Sequence, residues 1–202
     1  MTEASKVRKL GPALLISTLI AMLLASHIFP YTQFSEPTIG DNYTIELVAE
    51  DLGGPSCLEW VNSSILLICD RDGGRLVSLE FDYNTTDWSW NVSQHSTWLD
   101  GFDRPHGIHI AEDFIMVSEA GRLTRINHSG LDTGWMEEVK QNERWAMIDD
   151  ISIGNHQPNA INELGNGTLI WHVGSTCNVC DQDDERNAAL LWVDPSTGEH
   201  GV

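Results

Sequence analysis

Basic residues are scarce in this sequence. Its 202 residues contain 11 lysines and arginines against 30 aspartates and glutamates, which gives a formal net charge of −19. A surface of this sign repels the phosphates of nucleic acids and the headgroups of anionic lipids. The shortage of cations therefore argues against nucleic acid as a partner, and the excess of acids favours a soluble, well-hydrated domain.

Cysteines are few as well, and their spacing excludes two common roles. A single Cys-x-x-Cys pair, at Cys177 and Cys180, does not supply the four ligands that zinc requires. Haem attachment needs a histidine after the second cysteine, where Asp181 stands. An even count outside the cytoplasm favours disulfides. We expect a local Cys177–Cys180 loop disulfide and a bridge between Cys57 and Cys69 across a hairpin, with two buried free thiols as the alternative at the latter pair.

After residue 30, no stretch shows the 3.6-residue spacing of apolar side chains that is typical of helices. One long apolar run lies before that point. The run covers residues 10–29 and is long enough to span a hydrocarbon core. Three cations before it place residues 1–9 on the cytoplasmic side: Lys6, Arg8 and Lys9. We predict a transmembrane signal anchor at 10–29, a linker at 30–43, and a domain held outside the cytoplasm, at the cell surface or in the periplasm.

A cleaved signal peptide is the alternative for this run, but its small-x-small cleavage pattern is poor. Asn-x-Ser/Thr sequons agree with an exported chain; they begin at Asn42, Asn62, Asn84, Asn91, Asn127 and Asn166.

Internal repetition is the most informative feature of the remaining chain. Three similar units begin at Pro55, Pro105 and Pro158, which lie 50 and 53 residues apart. Each unit has a short apolar strand, a polar turn, a strongly apolar strand and a polar loop that leads into a third strand. This pattern predicts an all-β domain over 44–202, with each unit a blade of a β-propeller. A sandwich is the structural alternative, but it does not require its strands to repeat.

The number of units raises a second expectation. About three blades fit into the domain, whereas closed propellers have roughly 4–8. We therefore expect the propeller to be truncated at its C-terminus.

Candidate site residues cluster where the units begin. The first strand of each blade lines the channel of a propeller, so the entries at 103–107 and 154–159 should face a shared site. Each entry contains a histidine, His106 and His156, and imidazole can act as a general base near neutral pH. The alternative is that both merely cap strands. His172 and the eight tryptophans are expected to pack within the blades.

The third unit also carries a recognisable motif. The stretch HQPNAINELGNGTLIWHVGSTCNVCDQDDERNAALLWVDPSTGE resembles the glucose/sorbosone dehydrogenase family in its His-x-x-Asn opening, Val-Gly-Ser, Cys-Asn-x-Cys, Glu-Arg and Leu-x-Val-Asp-Pro elements. DGFDRPHGIHIAEDFIMVSEAGRLTRI and DRDGGRLVSLEFD resemble the two preceding blades. The likeness spans residues 44–202, apart from a poorly matched stretch at 83–97.

The resemblance implies a six-bladed propeller that uses pyrroloquinoline quinone and calcium to oxidise sugars. His156 would then be the general base and His106 would face the cofactor. Ser175 replaces an aspartate that glucose-oxidising members carry, which leaves the sugar open. Arg186-Asn187 does not match the cofactor segment, so most ligands would lie beyond residue 202, and the electron acceptor is unknown.

Two functions follow as hypotheses. The first is the quinone-dependent oxidation of an aldose or sorbosone-like sugar by a membrane-anchored enzyme of which this chain is the N-terminal part. The alternative is a non-catalytic propeller that binds glycans or a protein partner. A lactonase-like hydrolase is a third and weaker hypothesis. Such enzymes need a ring of acidic calcium ligands, whereas the entries of these units offer histidine and asparagine.

Overall fold

The computed structural model describes residue 45 and residues 47–86, 89–157 and 159–202. The predicted anchor at 10–29 and linker at 30–43 lie outside the described residues. Within the described part of the chain, no helix is both long and apolar enough to cross a membrane. Residues Leu47–Val202 form one compact unit.

The described chain folds into three antiparallel sheets of four strands each, and the all-β prediction is confirmed. The first sheet contains β1 (Pro55–Trp60), β2 (Ile65–Asp70), β3 (Arg75–Asn84) and β4 (Ser89–Asp100). The second contains β5 (Gly107–Ile110), β6 (Phe114–Glu119), β7 (Arg122–Asn127) and β8 (Arg144–Ile148). The third contains β9 (Ile161–Glu163), β10 (Leu169–Val173), β11 (Ala189–Val193) and β12 (His200–Gly201).

Each sheet is a simple meander in which strands follow one another in chain order. The first strands of successive sheets contact each other, β1 with β5 and β5 with β9. The predicted hairpin tip at Asn62-Ser63-Ser64 is correct: the Asn62 side-chain oxygen accepts hydrogen bonds from the backbone amides of Ser64 and Ile65, at 2.8 and 2.9 Å. The chain therefore repeats its strand order three times, as the sequence units indicated.

Burial of the second and third strands explains their strongly apolar composition. Leu67 and Leu76 of the first sheet share one buried cluster with Ile115 and Ile126 of the second. A second cluster joins the other face of the second sheet to the third, through residues such as Trp171. The second sheet is therefore covered on both faces, and each fully buried apolar side chain contributes about 1.5–3 kcal/mol.

The polar loop before each third strand ends in a residue with positive φ. Gly74, Gly121 and Ala188 have φ of 63°, 71° and 55°. A Cβ at Gly74 would lie 2.6 Å from the carbonyl oxygen of Phe102, and one at Gly121 would lie 2.5 Å from that of Ile151. After it leaves each of the first two sheets, the chain passes close against this glycine and leaves no room for a side chain. The close approach explains why glycine opens the repeated Gly-Arg-Leu motif.

The structure differs from the sequence predictions in three places. Each sheet has a fourth strand beyond the three predicted, and most of the poorly matched stretch 83–97 lies in β3 and β4. One short helix, α1 (Trp135–Val139), follows β7. His172 was expected to pack, but it is exposed on β10.

The tryptophans also divide between two environments, so the prediction that they pack within blades is only partly correct. Trp98, Trp135 and Trp171 are buried in the clusters. Four others are exposed by 40–51%: Trp60, Trp90, Trp145 and Trp192.

Candidate functional site

The entry segments of the three sheets meet in one cleft of about 540 Å³, which we call the entry cleft. The second and third sheets contribute the predicted histidines, His106 and His156, which line it together. The first sheet contributes residues that the sequence did not single out. The full lining is Pro55, Ser56, Arg71, Asp72, Arg104, His106, Gly154, Asn155, His156 and Gln157.

Hydrogen bonds between sheets hold these entries together. The Ser56 hydroxyl donates to the carbonyl oxygen of Pro105 at 2.7 Å, which joins the first sheet to the second. The buried Asn159 amide donates to the carbonyl oxygen of Glu119 at 3.0 Å, which joins the third sheet to the second. Gly107 permits this approach, since a Cβ there would lie 2.7 Å from the Asn159 carbonyl oxygen. The relative positions of the entries are therefore fixed by the fold.

His106 lies half-buried at the floor of the second entry. Burial lowers the pKa of its imidazole, and the positive charges of Arg71 and Arg104 lower it further. The nearby carboxylates of Asp103 and Asp72 act in the opposite direction and do not cancel this effect. The net result is a lowered pKa, which favours the neutral form of the imidazole.

His156 is exposed in the cleft, and one of its ring nitrogens is engaged. Its Nε2 contacts the side-chain oxygen of Asn178. An amide oxygen only accepts hydrogen bonds, so in the Nε2–H tautomer of His156 this contact is a hydrogen bond and Nδ1 keeps its lone pair. The free Nδ1 is the atom that can accept a proton from a ligand.

The loop that carries Asn178 is closed by a disulfide between Cys177 and Cys180, as the sequence predicted. The Ser175 hydroxyl donates to the Cys177 carbonyl oxygen at 3.0 Å, and the backbone amide of Thr176 donates to the Gln182 side chain at 2.9 Å. These bonds fold the loop back over the third entry. The predicted Cys57–Cys69 bridge is also present, with the two cysteines paired across β1 and β2.

The third sheet departs from the repeat where it approaches His156. In the first two sheets a buried carboxylate ends the second strand, Asp70 in one and Glu119 in the other, and each pairs with an arginine. Gly174 follows the corresponding strand of the third sheet. A Cβ at Gly174 would lie 1.8 Å from the carbonyl oxygen of His156, so the His156 backbone occupies the space of the missing side chain. This replacement brings His156 to its position in the cleft.

Gln157 completes the polar lining of the third entry, and Arg186 lies outside the cleft. Gln157 is 6% exposed, and its side-chain nitrogen has no hydrogen-bond partner among the described residues. Arg186 lies just before β11 and is engaged by Asp184 and by the carbonyl oxygens of Asp149 and Asp150. The sequence correctly indicated that Arg186 precedes a strand and does not open a new sheet.

The described residues contain no cluster of three or more histidine, cysteine, aspartate or glutamate side chains that could hold a metal ion. A second concavity of about 630 Å³ lies on the first sheet, where Trp60, Phe81 and Trp90 form an apolar wall. The Phe81 ring lies 5.4 Å from that of Trp60 and 6.2 Å from that of Trp90.

Sequence reasoning found the histidines and included Gln157 in the third entry without giving it a role, but it missed Arg71 and Asn178. Arg71 follows the second strand of the first sheet and not its entry, so the rule that entries line the site did not include it. Gln157 and Asn178 stand beside residues that the motif emphasised, His156 and Cys177, and their proximity was the available signal.

No protein-family model and no curated protein matches this chain. Its fold is similar to two solved structures from Trichoderma reesei, an iodide structure and a calcium structure of Carbohydrate-Active Enzymes Family AA12. Both have a TM-score of 0.64 and 16% sequence identity over 82% of this chain. The chain spans 42% of the length of the first and 41% of the second.

These comparisons correct the family predicted from the sequence. The fold matches AA12 carbohydrate-active enzymes, and the assignment to the glucose/sorbosone dehydrogenase family is wrong. The motif that suggested it is accounted for by local structure. The Gly174 backbone packs on His156, and the Cys-Asn-x-Cys segment forms the disulfide loop. What the comparisons show is a fold shared with carbohydrate-active enzymes of family AA12.

Proposed function

We propose that the entry cleft is a carbohydrate-active site in which His156 acts as the general base in the oxidation of a sugar. The observation that carries the proposal is the convergence of three sheet entries on one cleft that contains both histidines. The similarity to AA12 carbohydrate-active enzymes supports the choice of a sugar as substrate. The free Nδ1 of His156 would accept the hydroxyl proton, while the hydride from the same carbon passes to a two-electron acceptor.

A quinone is the acceptor class predicted from the sequence, together with calcium. The family resemblance that suggested pyrroloquinoline quinone is corrected above, so this cofactor stays a prediction. One AA12 structure is described as a calcium structure. The described residues offer no cluster of acidic ligands for such an ion, and we assign it no step.

We also propose that the three sheets are consecutive blades of a β-propeller. Their identical strand order, the contacts between their first strands, and the apolar layers between them support this arrangement. A propeller brings the entries of all blades to one face, which gives the entry cleft its position.

An extracytoplasmic location with an anchor at 10–29 remains part of the proposal. Two disulfides support it, because such bridges persist outside the reducing cytoplasm. Protease treatment of sealed cells checks this: the domain should be cleaved, and a protected domain would contradict it.

A second candidate function rests on the apolar concavity of the first sheet. Trp60 and Trp90 are 51% and 47% exposed there, and sugar rings stack on such surfaces. The chain would then bind glycans without catalysis.

Dye-linked sugar oxidation by the full chain tests the proposed reaction. His156→Ala should lower turnover by roughly 10²–10⁴, the range for the loss of a positioned general base. His172→Ala is the matched control, because His172 is exposed on a neighbouring strand and should leave turnover unchanged. Equal turnover in wild type and His156→Ala would refute the assigned base. Glycan binding without any oxidation would favour the second candidate.

A further inference from the structure

The entry cleft contains two arginines, although the chain as a whole is strongly acidic. Of the 11 lysines and arginines, three precede the apolar run and eight remain, since 11 minus 3 is 8. Two of these eight, Arg71 and Arg104, line the cleft. Asp72 also lines the cleft and Asp103 adjoins Arg104, so the charges there balance, but a quarter of the cations that remain in the domain meet in this one place.

Other arginines in the domain pair with buried carboxylates, whereas the two in the cleft pair only with exposed ones. Arg75 pairs with the buried Asp70 at 2.7 Å and Arg122 with the buried Glu119 at 3.3 Å. Arg71 and Arg104 instead pair only with the aspartate next to each in sequence, at 2.8 and 3.2 Å. All four partners of these two pairs are at least 44% exposed, and such surface pairs contribute little.

Arg104 is also held in an unusual backbone conformation. Its φ is 48°, in the left-handed region that non-glycine residues rarely adopt. Residues kept in this region concentrate at sites that bind or act on ligands. The fold thus keeps Arg104 at the cleft at a conformational cost.

Gln157 adds an independent observation from the third sheet. It lines the same cleft, it is 6% exposed, and its side-chain nitrogen lacks a hydrogen-bond partner among the described residues. A buried amide donor without a partner is costly, and a rotation of this side chain toward the cleft would let an acceptor on a ligand satisfy the N–H group.

We propose that the entry cleft binds a carboxylate, with Arg71 and Arg104 as its cationic contacts and the Gln157 amide as a further donor. The proposal rests on the proposed function, because it assigns the substrate class as an acidic sugar such as a uronate. The guanidinium group is suited to this ligand, since it donates two parallel hydrogen bonds to a carboxylate. The pKa of His106 is lowered first by burial and then by the two arginines, whose effect exceeds that of their aspartate partners.

A carboxylate could come from either of two sources in this cleft. One is the sugar itself. The other is pyrroloquinoline quinone, which also bears carboxylates. Both would use the same arginines, so binding measurements with each ligand are needed to separate them.

Calorimetric titration of the full chain tests the proposal, with D-glucuronate, its neutral methyl ester, D-glucose and pyrroloquinoline quinone as ligands. Glucuronate should bind about tenfold or more tightly than its ester or glucose, the value of a hydrogen bond to a charged group. Arg71→Gln and Arg104→Gln should each remove most of this preference. Lys140→Gln is the control, since Lys140 forms an exposed pair with Glu137 on α1 and should change nothing.

The possible results separate the two proposals. Equal binding of glucuronate, ester and glucose would overturn the carboxylate site and leave the carbohydrate function standing. Arginine-dependent binding of the quinone alone would support the carboxylate site and overturn the acidic sugar as its source. Binding of neither carboxylate would overturn the inference outright. Circular dichroism of each variant confirms that a lost interaction is not a lost fold.

Discussion

At the scale of single residues, Asn178 is the contact that defines the chemistry of His156. It lies between the two cysteines of the Cys177–Cys180 disulfide, which closes the loop around it. Its side-chain oxygen contacts Nε2, a contact that favours the imidazole tautomer whose Nδ1 is free. Under the proposed function, Asn178 would position the base, and His156 would be the group that meets the sugar.

The most direct effect of replacing Asn178 should be on the tautomer ratio of His156. For Asn178→Ala we expect a larger fraction of the Nδ1–H tautomer in ¹⁵N NMR spectra. Turnover should fall by about tenfold, less than the roughly 10²–10⁴ expected for loss of the base itself. Val179→Ala is the control in the same loop, because Val179 is 95% exposed. An unchanged tautomer ratio in Asn178→Ala would show that this contact does not position the base.

His106 should make the stability of the domain depend on pH. Its pKa is lowered by burial and by the two cleft arginines from an ordinary value of 6.5. The unfolded chain then binds more protons between the two pKa values, so stability falls as the pH drops below about 6.5. His106→Gln should lose less stability than wild type between pH 7.5 and pH 5 in thermal unfolding. His95→Gln, at an exposed position on β4, should follow wild type; an identical pH profile for His106→Gln would contradict the assignment.

At the scale of elements, the sequence repeat predicted the sheets well. The apolar second strands, the hairpin tip at Asn62 and the Cys57–Cys69 pairing all follow from alternation and turn residues. The fourth strands were missed because β4 is mostly polar and exposed, so burial leaves no apolar signal in it. β8 was missed for a similar reason, since three of its five residues are exposed.

The loop before each third strand gives a prediction about these elements. Gly121→Ala should lower stability by roughly 1–2 kcal/mol from the left-handed backbone alone, with more lost from the clash with the Ile151 carbonyl oxygen. Ala188→Gly should raise stability, because Ala188 has a positive φ that glycine adopts without steric strain. Urea unfolding of both variants measures this, and a loss of stability in Ala188→Gly would count against the equivalence of the three loops.

At the scale of the whole molecule, the sequence predicted which segments would meet in the cleft, but it did not predict every residue that lines the cleft. His106 and His156 line one cleft because the first strands of the sheets are adjacent, as the repeat indicated. Arg71 reaches the same cleft from the end of β2, and only the register of the first sheet reveals that. The family assignment failed for a related reason: short motifs reflect local packing, such as that of Gly174 on His156, which unrelated sequences can share.

The most direct test of the central claim is a crystal structure of the full chain with a bound sugar, D-glucose or D-glucuronate. We expect the sugar in the entry cleft, with a hydroxyl group within hydrogen-bond distance of His156 Nδ1, about 2.6–3.2 Å. With glucuronate, the carboxylate should face Arg71 and Arg104. A sugar found instead on the Trp60 and Trp90 surface, with the entry cleft empty, would contradict the account.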